Sequence, residues 1–381
     1  MKELSEIRKT IDSIDTQLCE LFKQRLAIMT DVAEAKRRQS KPILNPERER
    51  DILNRMMDQA GPEYEKEIRL IFSTLFDVSK TRQRALQSSS SPLADGILKA
   101  AQDGREFPGR ALVACPGTEG SYSQQATSQM FEVPTILYFN SFDKVFEAVE
   151  SGLCPYGILP IENTAAGSVV PVYDAMVKHK FYIVKSKRLR INHVLLGNPG
   201  ATLSGIREVA SHPQALSQCG NYLKKHPEFK TIPESNTAVA AKLLVESGSL
   251  DRAVIASREC AELYGMKILD DNLADVPNNY TRFICISKNM EIFRDACKIS
   301  IMLMLPHKPG SLHDLLARFS AIDVNLTKLE SRPIPGMDFE FLFTFDFEAS
   351  PTDPRVLQLL SELSSDPSIT HFTFLGAYGE R

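Results

Sequence analysis

The apolar positions Leu4, Ile7, Ile11, Ile14, Leu18, Leu21, Ile28, Val32 and Ala35 keep an alternating spacing of three and four. That is the period that lines side chains along one face of a helix. It predicts a helix over residues 3–38, about 50 Å long. Two further helices are predicted over residues 46–60 and 64–86, the first opened by Asn45 as cap with Pro46 in the first turn. Two such helices cover the long one only in part, so its seam calls for a second copy of the chain, in a homodimer or higher homo-oligomer. One position breaks the stripe. Arg25 sits between Leu21 and Ile28, where Leu or Ile is expected. A guanidinium on an apolar face is costly unless an anion meets it. Lys36 lies 11 residues further on and about 20° away around the helix, so both cations face one side. Arg8 flanks the same seam upstream. A salt-bridged or interface arginine is the plainer reading of Arg25, and both stay open at this point.

The pattern changes beyond residue 87. Residues 88–110 begin serine-rich and end with Gly and Pro, the composition of a linker with one short helical turn. Strands and helices then alternate over residues 111–289, as in an α/β domain. Residues 297–381 follow a βαββαβ order. Within them Phe339, Phe341, Phe343, Phe345 and Phe347 alternate with mostly polar residues, a period of two that reads as a buried sheet face rather than a ligand box.

Composition narrows the class. A chain of 381 residues exceeds what one core usually serves, so several domains are expected. The net charge of -3 gives no electrostatic reason for a nucleic-acid partner. The polar start MKELSEIRKTIDSID predicts no signal peptide, and no apolar run approaches a membrane span, so a cytoplasmic enzyme is expected. Seven cysteines lie singly without a C-x-x-C pair, which argues against a zinc site or a disulfide framework. No Walker loop, G-x-G-x-x-G or G-x-S-x-G is present, and neither a cofactor nor a metal is implied.

In the α/β segment the polar residues gather where strands meet helices: GTEGSYS at 117–123, PIENTAAGS at 160–168, SHPQALSQC at 211–219, SNTA at 235–238 and TRF at 281–283. Each alone is explained by helix capping or turns. Together, at strand ends, they mark the place where α/β folds bind ligands. Their order resembles the prephenate dehydratase family over about 180 residues. The resemblance implies a two-lobed α/β domain (type II periplasmic-binding-protein-like) that takes carbon dioxide and hydroxide from prephenate to give phenylpyruvate. It implies Thr281 as the central catalytic residue, with Ser121, Glu162, Asn163, Ser211, Gln218 and Phe283 lining the site. A threonine hydroxyl is too weak an acid for efficient proton transfer, so Thr281 is read as a hydrogen-bond donor to the leaving oxygen. Arg282 points away from its strand neighbours, and His212 before Pro213 reads equally as a helix-start residue.

The helical segment, residues 1–87, resembles the all-α chorismate mutase family. Arg8, Arg25, Lys36, Arg48, Glu49, Ser79 and Gln83 stand at the spacings of its chorismate-binding residues. Its rearrangement is pericyclic, so catalysis is binding of a compact conformer and stabilisation of charge on the breaking ether oxygen. Arginines suit the two carboxylates, Lys36 and Gln83 would donate to the ether oxygen, and Arg8 would reach the partner chain's site. In the C-terminal unit, HKPGSL at 307–312 and ESRP at 330–333 resemble the signatures of the ACT regulatory domain, an α+β ferredoxin-like fold. The resemblance implies phenylalanine as effector, at Gly310, Ser311, Leu312, Glu330, Ser331, Arg332 and Pro333. Two rivals remain: a solute-binding or amino-acid-sensing protein, and a monofunctional dehydratase whose helical segment only dimerises.

Overall fold

The computed structural model describes residues 3–39, 45–87, 91–271, 273–333 and 341–380. The chain opens with α1 (Leu4–Arg38), α2 (Pro46–Ala60) and α3 (Glu65–Gln87). Asn45 caps α2, its Oδ1 accepting from Arg48 N at 3.1 Å, with Pro46 in the first turn where a missing N–H costs nothing. Within one chain the α1 seam is not covered: Leu4, Ile7, Ile11, Ile14, Leu18, Leu21 and Ile28 are all exposed, Leu21 at 61%. The segment read as a linker with one helical turn instead holds α4 (Pro92–Ala101), capped by Ser91. Its Ala94 and Ile97 enter the core of the C-terminal unit beside Val356 and Leu360. The apolar face of α4 therefore belongs to a distant part of the chain, which local composition does not reveal.

Lobe one follows as β1 (Arg110–Pro116), α5 (Tyr122–Met130), β2 (Val133–Phe139), α6 (Phe142–Glu150), β3 (Tyr156–Asn163), β4 (Gly167–Ser168), α7 (Val170–Lys178) and β5 (Tyr182–Arg190). Lobe two holds β6 (His193–Gly197), β7 (Glu208–Ser211), α8 (Pro213–Gln218), α9 (Gly220–Lys225), β8 (Lys230–Pro233), α10 (Thr237–Ser247), β9 (Arg252–Ser257), α11 (Arg258–Tyr264) and β10 (Lys267–Asp270). β11 (Tyr280–Ser287) then returns to the first sheet between β3 and β5. The second sheet runs β10-β6-β9-β7-β8. Its central strand β9 presents Ala253, Val254, Ile255 and Ala256, all fully buried, because helices cover both faces.

The last unit is β12 (Lys298–Met304), α12 (Ser311–Ser320), β13 (Asn325–Pro333), β14 (Phe341–Glu348), α13 (Pro354–Ser365) and β15 (Thr370–Glu380). Phe345 and Phe347 are fully buried against α12 and α13, while Phe339 lies outside the described residues. This sheet continues that of lobe one: Gly379 and Glu380 of β15 pair in parallel with Lys185 and Ser186 of β5. The join needs glycine at Gly376, where φ is 146° and an added Cβ would stand 2.1 Å from Ile183 O.

Candidate active sites

β3 and β11 pair antiparallel with Asn163 opposite Thr281, which puts both buried side chains on one face, where Gln218 of lobe two meets them. The Asn163 amide is oriented unambiguously. Backbone N–H groups of Ala165 and Ala166 donate to its Oδ1 at 3.0 and 2.9 Å, so its Nδ2 must face the other way. There it donates to Thr281 Oγ1 at 2.9 Å and Asn279 Oδ1 at 2.7 Å. Thr281 therefore accepts from Asn163, and its own hydroxyl proton stays available for another acceptor. Across the cleft, Gln218 Nε2 donates to Asn163 Oδ1 at 3.4 Å and Asn279 Nδ2 donates to Gln218 Oε1 at 3.1 Å. Ser121 caps α5, its Oγ accepting from Gln124 N at 3.3 Å. The loop before it passes beside Asn236, whose Nδ2 lies 2.9 Å from where a Gly117 Cβ would be. The lobes thus meet through small and amide side chains.

The helical segment gathers a second constellation. Arg25 Nη1 donates to Ser79 Oγ and, at 3.3 Å, to Leu75 O, with its guanidinium 5.9 Å from the Phe76 ring centroid. Burial pushes the Arg25 pKa down. Lys36 is also pushed down by burial, with the Glu49 carboxylate opposing and Arg48 reinforcing, so these three charges share one neighbourhood. Glu49 also faces Lys80 at 3.6 Å. One turn beyond Ser79, Gln83 is buried; among the described residues its Nε2 reaches the Met29 thioether at 3.6 Å and its Oε1 has no hydrogen-bond partner. Arg8 is exposed on α1, about 25 Å from Arg25 along the helix, and is not part of this cluster within one chain.

The chorismate mutase type II model matches residues 7–84 and the prephenate dehydratase model residues 113–291. The bifunctional chorismate mutase/prephenate dehydratase of Enterobacter agglomerans is 30% identical over 95% of this chain and 92% of its own length. The chain belongs to the bifunctional chorismate mutase/prephenate dehydratase family. The arogenate dehydratase/prephenate dehydratase 1 of Arabidopsis thaliana is 36% identical, over 71% of this chain and 72% of its own. A crystal structure of a prephenate dehydratase in complex with L-Phe, from Arthrobacter aurescens, superposes with a TM-score of 0.63 at 28% identity, over 70% of this chain and 90% of its own.

In the dehydratase segment three expected residues do not face the cleft. Glu162 is the strand neighbour of Asn163, so its side chain leaves by the opposite face of β3. There its Oε1 meets Arg282 Nε at 3.2 Å and its Oε2 meets Lys328 Nζ at 2.6 Å. Ser211 is fully buried, its Oγ donating to Ile255 O at 2.5 Å as a staple between strands. Phe283 lies beneath the site, in the core with Val113, Ala126 and Tyr156. His212 caps α8, its Nδ1 accepting from Gln214 N at 3.2 Å. One residue that the sequence did not single out is His193, whose Nε2 lies 3.1 Å from Gln218 Oε1. Its only local signal was a histidine inside an otherwise apolar strand.

Arg282 anchors a buried ion cluster behind Thr281. Its guanidinium meets Asp346 at 2.7 Å on β14 and Glu380 at 3.9 Å on β15, besides Glu162. Lys298 pairs with Glu380 at 2.5 Å. Lys328 bridges Glu162 to Glu330 at 3.2 Å, and Glu330 also meets Arg332 at 3.0 Å and Ser168 Oγ at 2.5 Å. Burial pushes the Glu330 carboxyl up, but hydrogen bonds from Ser168, Arg332 and Lys328 and the Lys328 charge outweigh it and leave its pKa below the ordinary value. Of the expected effector residues, Glu330 and Arg332 are thus turned toward the dehydratase, Arg332 lying over the Tyr173 ring. Ser331 and Pro333 are exposed on the strand's other side, while Gly310, with φ 89°, opens α12 ahead of Ser311 and Leu312. Ser311 Oγ is buried without a hydrogen-bond partner among the described residues.

Proposed function

We propose that residues 1–87 rearrange chorismate to prephenate at the Arg25 cluster, and that the two-lobed segment converts prephenate to phenylpyruvate at Thr281. The carrying observation is the registered pair Asn163–Thr281: Asn163 donates to the threonine oxygen, so the hydroxyl proton is not spent on Asn163 and is available to a departing hydroxide. No general acid is required at that point if carbon dioxide loss and aromatisation drive the step and the donor only stabilises the leaving oxygen. Ser121, Asn163, Gln218 and Thr281 are the cleft residues of this reading. In the mutase, Arg25 and Arg48 take the carboxylates, Lys36 and the Gln83 amide meet the ether oxygen, Glu49 holds the ring hydroxyl and Ser79 orients Arg25. The exposed α1 seam supports a homodimer in which each chain covers the other's apolar stripe and Arg8 crosses to the partner's site. The cysteines, unpaired among the described residues, favour a reducing cytoplasm.

The C-terminal unit is read as an ACT-type domain that senses phenylalanine and inhibits the dehydratase by population shift. Lys328 links its Glu330 to Glu162 on the strand of Asn163. Lys328→Met is expected to weaken phenylalanine inhibition about 5- to 150-fold, the usual range of coupling between sites, with the uninhibited rate largely retained. Inhibition curves on the purified variant check this, and an unchanged curve removes Lys328 from the coupling.

The direct test is to give purified protein chorismate, follow prephenate and phenylpyruvate, and repeat with phenylalanine. Arg25→Ala is expected to lower chorismate turnover on the order of 10²–10³-fold, the scale for losing one well-placed charge donor, while prephenate added directly is still consumed. Chorismate left untouched by the unmodified chain would reduce the helical segment to a dimerisation arm.

A further inference from the structure

His193 is 2% exposed and begins β6, just past the first crossover from lobe one to lobe two. Its two ring nitrogens touch both lobes. Nε2 lies 3.1 Å from Gln218 Oε1, and Nδ1 lies 3.2 Å from the Tyr122 hydroxyl, whose one proton also has Asn192 O within reach at 2.9 Å. The polarity of this chain follows from fixed donors. The Ala165 and Ala166 N–H groups force Asn163 Oδ1 toward themselves, so Asn163 Nδ2 donates to Asn279 Oδ1. Asn279 Nδ2 must then donate to Gln218, which makes the Gln218 atom between Asn279 and His193 the oxygen. An oxygen there accepts only, so His193 carries its proton on Nε2. Burial pushes the imidazole pKa down, in keeping with a neutral ring whose unprotonated Nδ1 shares the single Tyr122 proton with Asn192 O.

With Oε1 held by His193 and Asn279, the Gln218 NH₂ group faces Asn163 Oδ1 at 3.4 Å, and its second N–H has no acceptor among the described residues. We propose that His193 is a positioning residue of the dehydratase: its Nε2–H holds the Gln218 amide so that a donor, not an acceptor, meets an oxygen of the substrate beside Thr281. Turned over, Gln218 would set its oxygen against Asn163 Oδ1 and against an anionic substrate, two repulsive contacts in place of two hydrogen bonds. The chain transmits orientation and carries no proton, because amide N–H groups are not acids near neutral pH. His193 and Gln218 belong to lobe two, Tyr122, Asn163 and Thr281 to lobe one, so this orientation is set where the lobes meet. The inference rests on the dehydratase reading given above.

The test uses the full chain with prephenate as substrate. His193→Leu keeps the volume and removes the donor; kcat/KM for prephenate is expected to fall about 10- to 100-fold, the scale of a misplaced contact near the reacting atoms. His193→Gln restores an N–H near the Nε2 position and is expected to recover most of that loss, which a role in packing alone would not predict. In a Gln218→Leu background, His193→Leu is expected to add no further loss, since its effect runs through that amide. Unchanged kcat/KM in His193→Leu, a Gln variant as impaired as the Leu variant, or full additivity with Gln218→Leu would each overturn the proposal. Should the leucine variant not fold, His193→Gln decides alone: near-normal turnover supports the proposal and a loss beyond about tenfold overturns it. Prephenate turnover by the unmodified chain separates the two failures, because its absence sinks the dehydratase reading itself.

Discussion

Thr281→Ala is expected to cut phenylpyruvate formation by about 10²–10³ in kcat, the scale seen when one preorganised donor to a developing negative charge is removed. Chorismate consumption should not change, so prephenate accumulates in the variant when chorismate is supplied. The reason is geometric. Thr281 is held at its oxygen by Asn163 at 2.9 Å, its proton stays available to the substrate, and alanine has no donor to put there. Thr281→Ser keeps the hydroxyl and the Asn163 bond and should retain a large part of the rate. Product analysis by absorbance at the two steps checks both variants. Loss of both activities in a folded Thr281→Ala protein contradicts separate sites.

Asp346→Ala is expected to destabilise the chain by about 3–5 kcal/mol, the cost of removing one partner from a buried ion pair. Arg282 is 4% exposed and Asp346 2%, their side chains 2.7 Å apart, and Asp346 also accepts from Ser300 Oγ at 2.6 Å. Among the described residues the cluster balances Arg282, Lys298, Lys328 and Arg332 against Glu162, Asp346, Glu330 and Glu380. Deleting one anion leaves a guanidinium in a site that excludes water. Replacing both partners is different: Arg282→Met with Asp346→Leu keeps the remaining charges paired and should recover most of the loss. Denaturant titration of the two variants beside the parent distinguishes the cases, and an Asp346→Ala chain of parental stability would show that the cluster relaxes at little cost.

What the sequence by itself determined is what rests on local periodicity and local chemistry. The three- and four-residue spacing of the first helix, Asn45 with Pro46 at the start of the second, and the caps Ser121 and Asn236 depend on neighbours within one turn, so their partners are already written beside them. The period of two over the phenylalanines likewise marked one face of β14. The ordered motifs named Asn163, at the end of β3, Gln218, at the end of α8, and Thr281, at the start of β11, as members of one site. Strand alternation, applied strictly, would have separated Glu162 from Asn163, since adjacent residues leave a strand by opposite faces.

The tertiary structure decided the rest, because it depends on pairings between residues far apart in the chain. The register of β3 on β11 sets Asn163 against Thr281, and no local pattern encodes a register between strands more than a hundred residues apart. The same pairing turns Glu162 and Arg282 toward the C-terminal sheet, where Asp346, Lys328 and Glu380 neutralise them. Ser211 and Phe283 are excluded from the cleft by what packs on them, Ile255 and the lobe-one core. His193 gains its role from Gln218, Tyr122 and the two backbone donors that fix Asn163, groups that meet only when the lobes come together. The residue types announced the chemistry; the faces they occupy, and so which of them reach the cleft, were settled by burial and strand register.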